Sequence, residues 1–130
     1  MTQIIRSLAE ISDRYDVLYC DLWGCLHDGY TPFTEAVEAL RGFKAQGGTV
    51  LLLTNSPRPR AQVERQLEKI GVPRDCWDVI ASSGDSARAA MLRGLVGRKV
   101  WFIGEPTDHG FFAPMDVVGS VPEITKVTLE

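Results

Sequence analysis

A Rossmann-like, three-layer α/β sandwich with a mainly parallel sheet is the fold class this sequence predicts, and three observations predict it. Short apolar runs recur at residues 17–22, 49–53, 78–81 and 99–103. Stretches with apolar residues at helical spacing alternate with these runs, giving strand-then-helix units in sequence. The runs end in small or polar groups: Asp21, then Thr54-Asn55-Ser56, then Ser82-Ser83-Gly84, then Gly104-Glu105. Parallel neighbours need a crossover connection, which is usually a helix. Ligands of such sheets bind beyond the carboxyl ends of the strands, where those polar groups collect.

The elements follow in order. Ile4, Ile5, Leu8 and Ile11 stand at helical spacing, so residues 2–13 are predicted as a short amphipathic helix leading into the first strand. Residues 17–22 form a continuous apolar run closed by a carboxylate and then Trp23-Gly24, the pattern of a parallel strand buried on both faces. After a loop with Gly29 and Pro32, Thr34 is expected to cap a helix lined by Val37, Leu40 and Phe43 and stopped by Gly47-Gly48. The second strand, residues 49–53, ends at Thr54. Pro59 then opens a helix packed through Val63, Leu67 and Ile70 and closed by Gly71. A third strand at 78–81 precedes a helix through Ala87, Ala90, Met91 and Leu95, and a fourth strand spans 99–103. Residues 116–118 could form one more short strand, and residues 121–130 show no clear partner.

Composition narrows the function classes. A chain of 130 residues, 45% hydrophobic and 24% charged, fits one domain over residues 1–130 with a real core. A net charge of −3 offers no broad basic surface, so nucleic acid is not an expected partner. No apolar run approaches the roughly 18 residues of a membrane span, so no membrane partner is expected either. Cys20, Cys25 and Cys76 are odd in number and lack metal-site spacing, which is the usage of reduced thiols in a cytoplasmic setting.

Chemistry concentrates at the first strand tip. An aspartate there, followed by a turn with glycine, can act as a covalent nucleophile while nearby amides hold an anion. From position alone, Asp21 could equally cap the loop through local backbone bonds. Arg58 and Arg60, at a helix start where cations are disfavoured, could face an anionic substrate or simply solvent. Trp77, Trp101, Phe102, Phe111 and Phe112 read as packing residues, and His109 as loop surface.

The run Asp21-Leu22-Trp23-Gly24-Cys25-Leu26 resembles the first motif of the haloacid dehalogenase-like hydrolases, and Leu51-Leu52-Leu53-Thr54-Asn55-Ser56 resembles the second. The likeness is nearest to class IIA of that superfamily, which includes NagD-type nucleotide or sugar phosphatases. The segments at 81–84 and 102–105 fit the same class, so the resemblance covers most of residues 15–118. It implies a Mg²⁺-dependent phosphatase acting on a phosphorylated small molecule. Asp21 would form an aspartyl-phosphate and bind Mg²⁺ together with the Trp23 backbone carbonyl. Thr54 would hydrogen-bond the phosphoryl group, with Asn55 and Gly24 also at the substrate.

Two departures from the family pattern matter. Phosphatases of the family carry a second aspartate two residues after the nucleophile, as general acid and base. This chain has Trp23, which puts a rate factor of about 10² to 10⁴ at stake. His27 and Asp28 are the nearby candidates to replace it. The family also places a lysine and a further acidic metal motif after a cap domain. Those belong to a C-terminal half of the core that this chain lacks, and Lys126 sits in the wrong context to be that lysine. The core is therefore expected to be incomplete, with a weak Mg²⁺ site and little activity in the chain as it stands. The first strand would present an unpaired edge, which self-association or a longer chain would cover. A 2-haloacid dehalogenase is an alternative, since that branch has an aromatic residue two after its aspartate and needs no metal. A non-catalytic binding or assembly module is another.

Overall fold

The computed structural model describes residues 4–96, 100–102, 111–112 and 124–126. Its frame is a parallel three-stranded sheet built from β1 (Val17–Cys20), β2 (Thr49–Thr54) and β3 (Val79–Ser82), in the order β1-β2-β3. Helices α1 (Thr34–Ala45) and α2 (Arg60–Ile70) form the two crossovers, and α3 (Ser83–Leu92) follows β3 without a loop. The α/β class and the parallel sheet are as the sequence predicts.

One core cluster holds the layers together. Val37, Leu40 and Phe43 of α1 and Val63 and Leu67 of α2 are buried against Val50 and Leu52 of β2 and Ile80 of β3. These are the helix faces that the 3.6-residue spacing marks. Gly71 closes α2 with φ +85°, a left-handed conformation in which a side chain is strained. Asp78 locks the sheet to α1: its carboxylate accepts from Lys44 Nζ at 2.6 Å and from the Val50 amide at 2.8 Å.

Four expectations are corrected. The strands are buried on one face only: β2 alternates, with Val50, Leu52 and Thr54 inside and Leu53 outside, and Val17, Tyr19 and Val79 are exposed on that outer face. Continuous apolar runs cannot distinguish the two cases, because both faces carry apolar residues. Instead of a helix over residues 2–13, two 3-10 turns occur at Leu8–Glu10 and Ser12–Arg14, with residues 1–3 outside the described set. Glu10 Oε1 reaches back to the amides of Arg6 and Ser7 at 2.8 and 3.1 Å, and the buried Ser12 hydroxyl donates to Gln46 at 2.9 Å. These contacts tie the segment down as tight turns. At α1 the cap position is Phe33, without a side-chain bond, and Thr34 is the first helical residue.

The fourth correction concerns β4 (Val100–Phe102). Among the described residues it pairs in parallel with β5 (Ile124–Lys126), in a ladder separate from β1-β2-β3. Within the 121–130 stretch, where the sequence showed no partner, Ile124–Lys126 thus has one. The predicted strand at 116–118, the Gly104-Glu105 tip and His109 lie outside the described residues. Trp77 and Phe112 are buried, and Phe111 packs edge-on against Phe112 with ring centroids 5.0 Å apart. In the described sheet β1 pairs only with β2, so it is an edge strand. No helix among the described residues is long and apolar enough to cross a membrane.

Candidate active site at the strand tips

The backbone after β1 is folded into a tight turn that fixes Asp21. The Leu22 carbonyl accepts from the amides of Cys25, Leu26 and His27 at 3.2, 2.8 and 3.1 Å, while Leu22, Leu26 and His27 are themselves buried. Burial of three of the residues behind it leaves Asp21 standing exposed at the mouth of the sheet. Its Oδ1 accepts from the Leu22 amide at 2.7 Å, the local backbone bond that a capping aspartate makes. Its Oδ2 accepts no hydrogen bond among the described residues, so one oxygen orients the carboxylate and the other is available.

Asp21 shares a cleft of about 500 Å³ with Tyr19, Leu53, Thr54, Asn55 and Ser83. Sheet register explains the grouping. Cys20 pairs with Leu52 and Thr54 with Ser82, so the residues just beyond each strand end open into one crevice. Thr54 is buried and its Oγ1 accepts from the Ser56 amide at 3.2 Å, which leaves the hydroxyl hydrogen to donate. Cys20 is no competing nucleophile. Burial, then Cys25, Asp21 and Cys76 in that order, push its thiol up to about 11, and its Sγ–H donates to the Asp21 carbonyl at 3.1 Å.

The sequence-predicted residues Asp21, Thr54 and Asn55 are thus brought together, and Gly24 and the Trp23 side chain are not part of the cleft lining. The Gly24 amide donates to the His27 carbonyl at 2.9 Å. The Trp23 indole turns onto the following loop, edge-on to His27 with centroids 5.3 Å apart. Neither candidate replacement acid reaches the cleft. His27 is buried, its Nδ1 accepts from the Gly29 amide at 2.9 Å, and burial lowers its pKa, so the ring is neutral. Asp28 Oδ1 accepts from the amides of Thr31 and Tyr30 at 2.8 Å each, and these bonds hold its pKa below the usual carboxylate value. Arg60 turns toward Asp85, with its amide 3.2 Å from Asp85 Oδ2, and neither Arg58 nor Arg60 lines the cleft.

Sequence reasoning missed Tyr19, Leu53 and Ser83. Tyr19 was legible, since the two-residue period of a strand puts it on the face of Asp21. Ser83 stood in a recognised polar tip without being singled out.

For a divalent cation, the Asp21 carboxylate and the Trp23 carbonyl, which accepts no hydrogen bond among the described residues, are hard oxygens of the kind Mg²⁺ takes. Among the described residues no group of three or more His, Cys, Asp or Glu side chains could hold a metal. The donors fit in kind and fall short in number.

An exposed carboxylate at one strand tip beside a hydroxyl on the next parallel strand is the crevice expected of a Rossmann-like α/β protein. Residues 18–117 match the family model of the haloacid dehalogenase-like hydrolases, and the chain belongs to that family. It is also similar to a crystal structure of a hydrolase of the haloacid dehalogenase-like family from Brucella suis 1330. The TM-score is 0.80 at 32% identity, over 97% of this chain and 45% of that one. The chain therefore spans under half the length of that relative. No protein of curated function matches it.

Proposed function

We propose that this chain carries the nucleophile half of a Mg²⁺-dependent phosphatase site for a phosphorylated small molecule. The observation that carries the reading is the shared cleft of Asp21, Thr54 and Asn55 at adjacent strand tips. The free Oδ2 of Asp21 attacks phosphorus, the P–O bond to the leaving group breaks, and an aspartyl-phosphate forms. Thr54 donates its hydroxyl hydrogen to a phosphoryl oxygen, and the Asn55 amide group lies beside it. Asp21 and the Trp23 carbonyl would hold the cation, whose charge offsets that of the phosphoryl oxygens when it is bound. Three free thiols fit a reducing, cytoplasmic setting.

Among the described residues the cleft shows no acid in the place where the family has one, because Trp23 stands there and His27 and Asp28 are committed elsewhere. A leaving group that departs without a proton is therefore the better donor for a test. With acetyl phosphate and Mg²⁺, the wild-type chain is expected to acquire a phosphoryl group on Asp21, mapped by mass spectrometry, without steady-state turnover. Asp21→Asn should acquire none. Wild-type chain left unmodified at Asp21 would overturn the proposal and favour the non-catalytic module. The same missing proton donor supports the dehalogenase as second reading, since halide needs no proton. Chloride release from 2-chloropropionate in the presence of a chelator would establish it in place of the phosphatase.

A further inference from the structure

The core uses one face of the sheet and leaves the other open. On the open face Tyr19, Leu51 and Val79 stand side by side across β1, β2 and β3, with Val17 toward one end and Leu53 toward the other. Val17 is 50%, Tyr19 67%, Leu53 50% and Val79 45% exposed. We infer that this face is the contact surface of a homodimer, in which the same patch on two copies of the chain packs sheet against sheet. The inference is independent of the phosphatase reading.

The strands carry none of the devices that keep such a surface solvated. A sheet face that meets water ordinarily alternates polar residues with the apolar ones beneath. Edges and faces are also blunted by lysine, glutamate or proline. Here β1, β2 and β3 contain no charged residue and no proline. Thr49, at the start of β2, is the polar exception on the open face. Nothing in these strands opposes contact with a second apolar surface.

Area selects the occupant. The outward side chains expose on the order of 500 Å², so a partner that covers them all buries about 1,000 Å² in total, the lower limit for a specific interface. A partial overlap falls below that limit. A second copy brings a face of the same outline, and two sheets pack with their inner side chains interdigitated. An isologous contact brings the same patch from both copies, and apposing two uncharged patches costs no like-charge repulsion. The same lack of charge gives a different protein no electrostatic handle. At this area the contact is weak, with a dissociation constant on the order of 100 µM. Dilute chain is then monomeric, and the protomer stands on its own core.

The contact also reaches the cleft. Tyr19 and Leu53 belong both to the open face and to the lining beside Asp21. A second copy seated on them becomes a further wall of that cleft. Val79 belongs to the face and does not line the cleft, which separates the two roles in a test.

Sedimentation velocity on the 130-residue chain, between about 5 and 500 µM to bracket that constant, provides the test. The mean mass should rise from one chain toward two and stop there. Val79→Lys should hold it at one chain over the whole range, while far-UV circular dichroism and thermal unfolding of dilute protein match the wild type. Val79→Thr keeps the branched shape and the strand preference, exchanges a methyl for a hydroxyl, and should weaken the dimer about 3- to 10-fold. It decides the matter if Val79→Lys does not fold. A wild-type chain that stays at one copy up to the highest concentration would overturn the inference, as would a mass that climbs past two. Val79 variants that fold and dimerise like the wild type would overturn it too, by moving the contact off this face.

Discussion

The indole of Trp23 lies directly on the backbone of Gly29: a Cβ built at residue 29 would stand 2.2 Å from Trp23 Cη2, and Gly29 has φ +97°. Glycine is required there twice over, by the left-handed backbone and by the ring above it. The loop from Gly24 to Pro32 is thereby pinned beside Asp21 by a residue type that cannot do acid–base work. Gly29→Ala is expected to cost about 1–3 kcal/mol and to release the indole. The check is thermal unfolding combined with the side-chain NMR signals of Trp23 and His27. Unchanged stability and an unchanged ring contact would contradict it.

A second close approach couples two strand tips. A Cβ at Gly84 would stand 2.2 Å from the Pro57 carbonyl oxygen and 2.6 Å from Arg58 backbone atoms, and the Gly84 amide donates to the Ser56 carbonyl at 3.0 Å. Backbone cannot yield as a flexible side chain can. Gly84→Ala should therefore move the 55–58 loop, destabilise the chain by about 1–3 kcal/mol, and shift the amides of Asn55 and Ser56. A variant with wild-type melting and unshifted amides would remove this coupling.

What the sequence made legible has a physical pattern. Helix faces such as Val37-Leu40-Phe43 were readable because burial on one side of a helix leaves a 3.6-residue mark. The tips bearing Asp21 and Thr54 were readable because a charge or a hydroxyl ending an apolar run is a visible break. The exposure of Tyr19, Leu53 and Val79 was not, since an apolar residue on an open sheet face looks the same in sequence as one on a covered face. Nor was the pairing of β4 with β5, which joins segments more than twenty residues apart across a stretch without local signal. The commitment of His27 and Asp28 was also hidden, because each is decided by amides of the loop that follows.

Adjacent residues of β2 provide a direct test of that one-sided burial. Leu52 is 0% exposed and Leu53 50% exposed. Leu52→Ala should cost about 2–5 kcal/mol, as for other buried leucines, through lost burial and a residual cavity. Leu53→Ala should cost under about 1 kcal/mol, because half of its surface already meets solvent. Chemical denaturation of the two variants measures the difference, and equal losses would show that the outer face is covered in solution.

Asp78 makes stability depend on pH in a stated direction. Lys44 first, then the Val50 amide, hold its carboxyl below the usual carboxylate value. A carboxylate whose folded pKa is depressed binds its proton more weakly in the folded state than in the unfolded chain. Its contribution is then fully present above the unfolded value, about 3.9, and is lost as pH falls through the lower folded value. Because the Asp78 side chain is 35% exposed, solvent screens the pair, and the contribution is on the order of 1 kcal/mol. Asp78→Asn should lower stability by about that amount at pH 7 and by progressively less below pH 4, where the wild-type carboxylate takes up its proton. Denaturation midpoints for both proteins between pH 2 and 7 decide the matter: a gap that stays constant across this range would show that the ionised carboxylate does not hold β2 and α1 together.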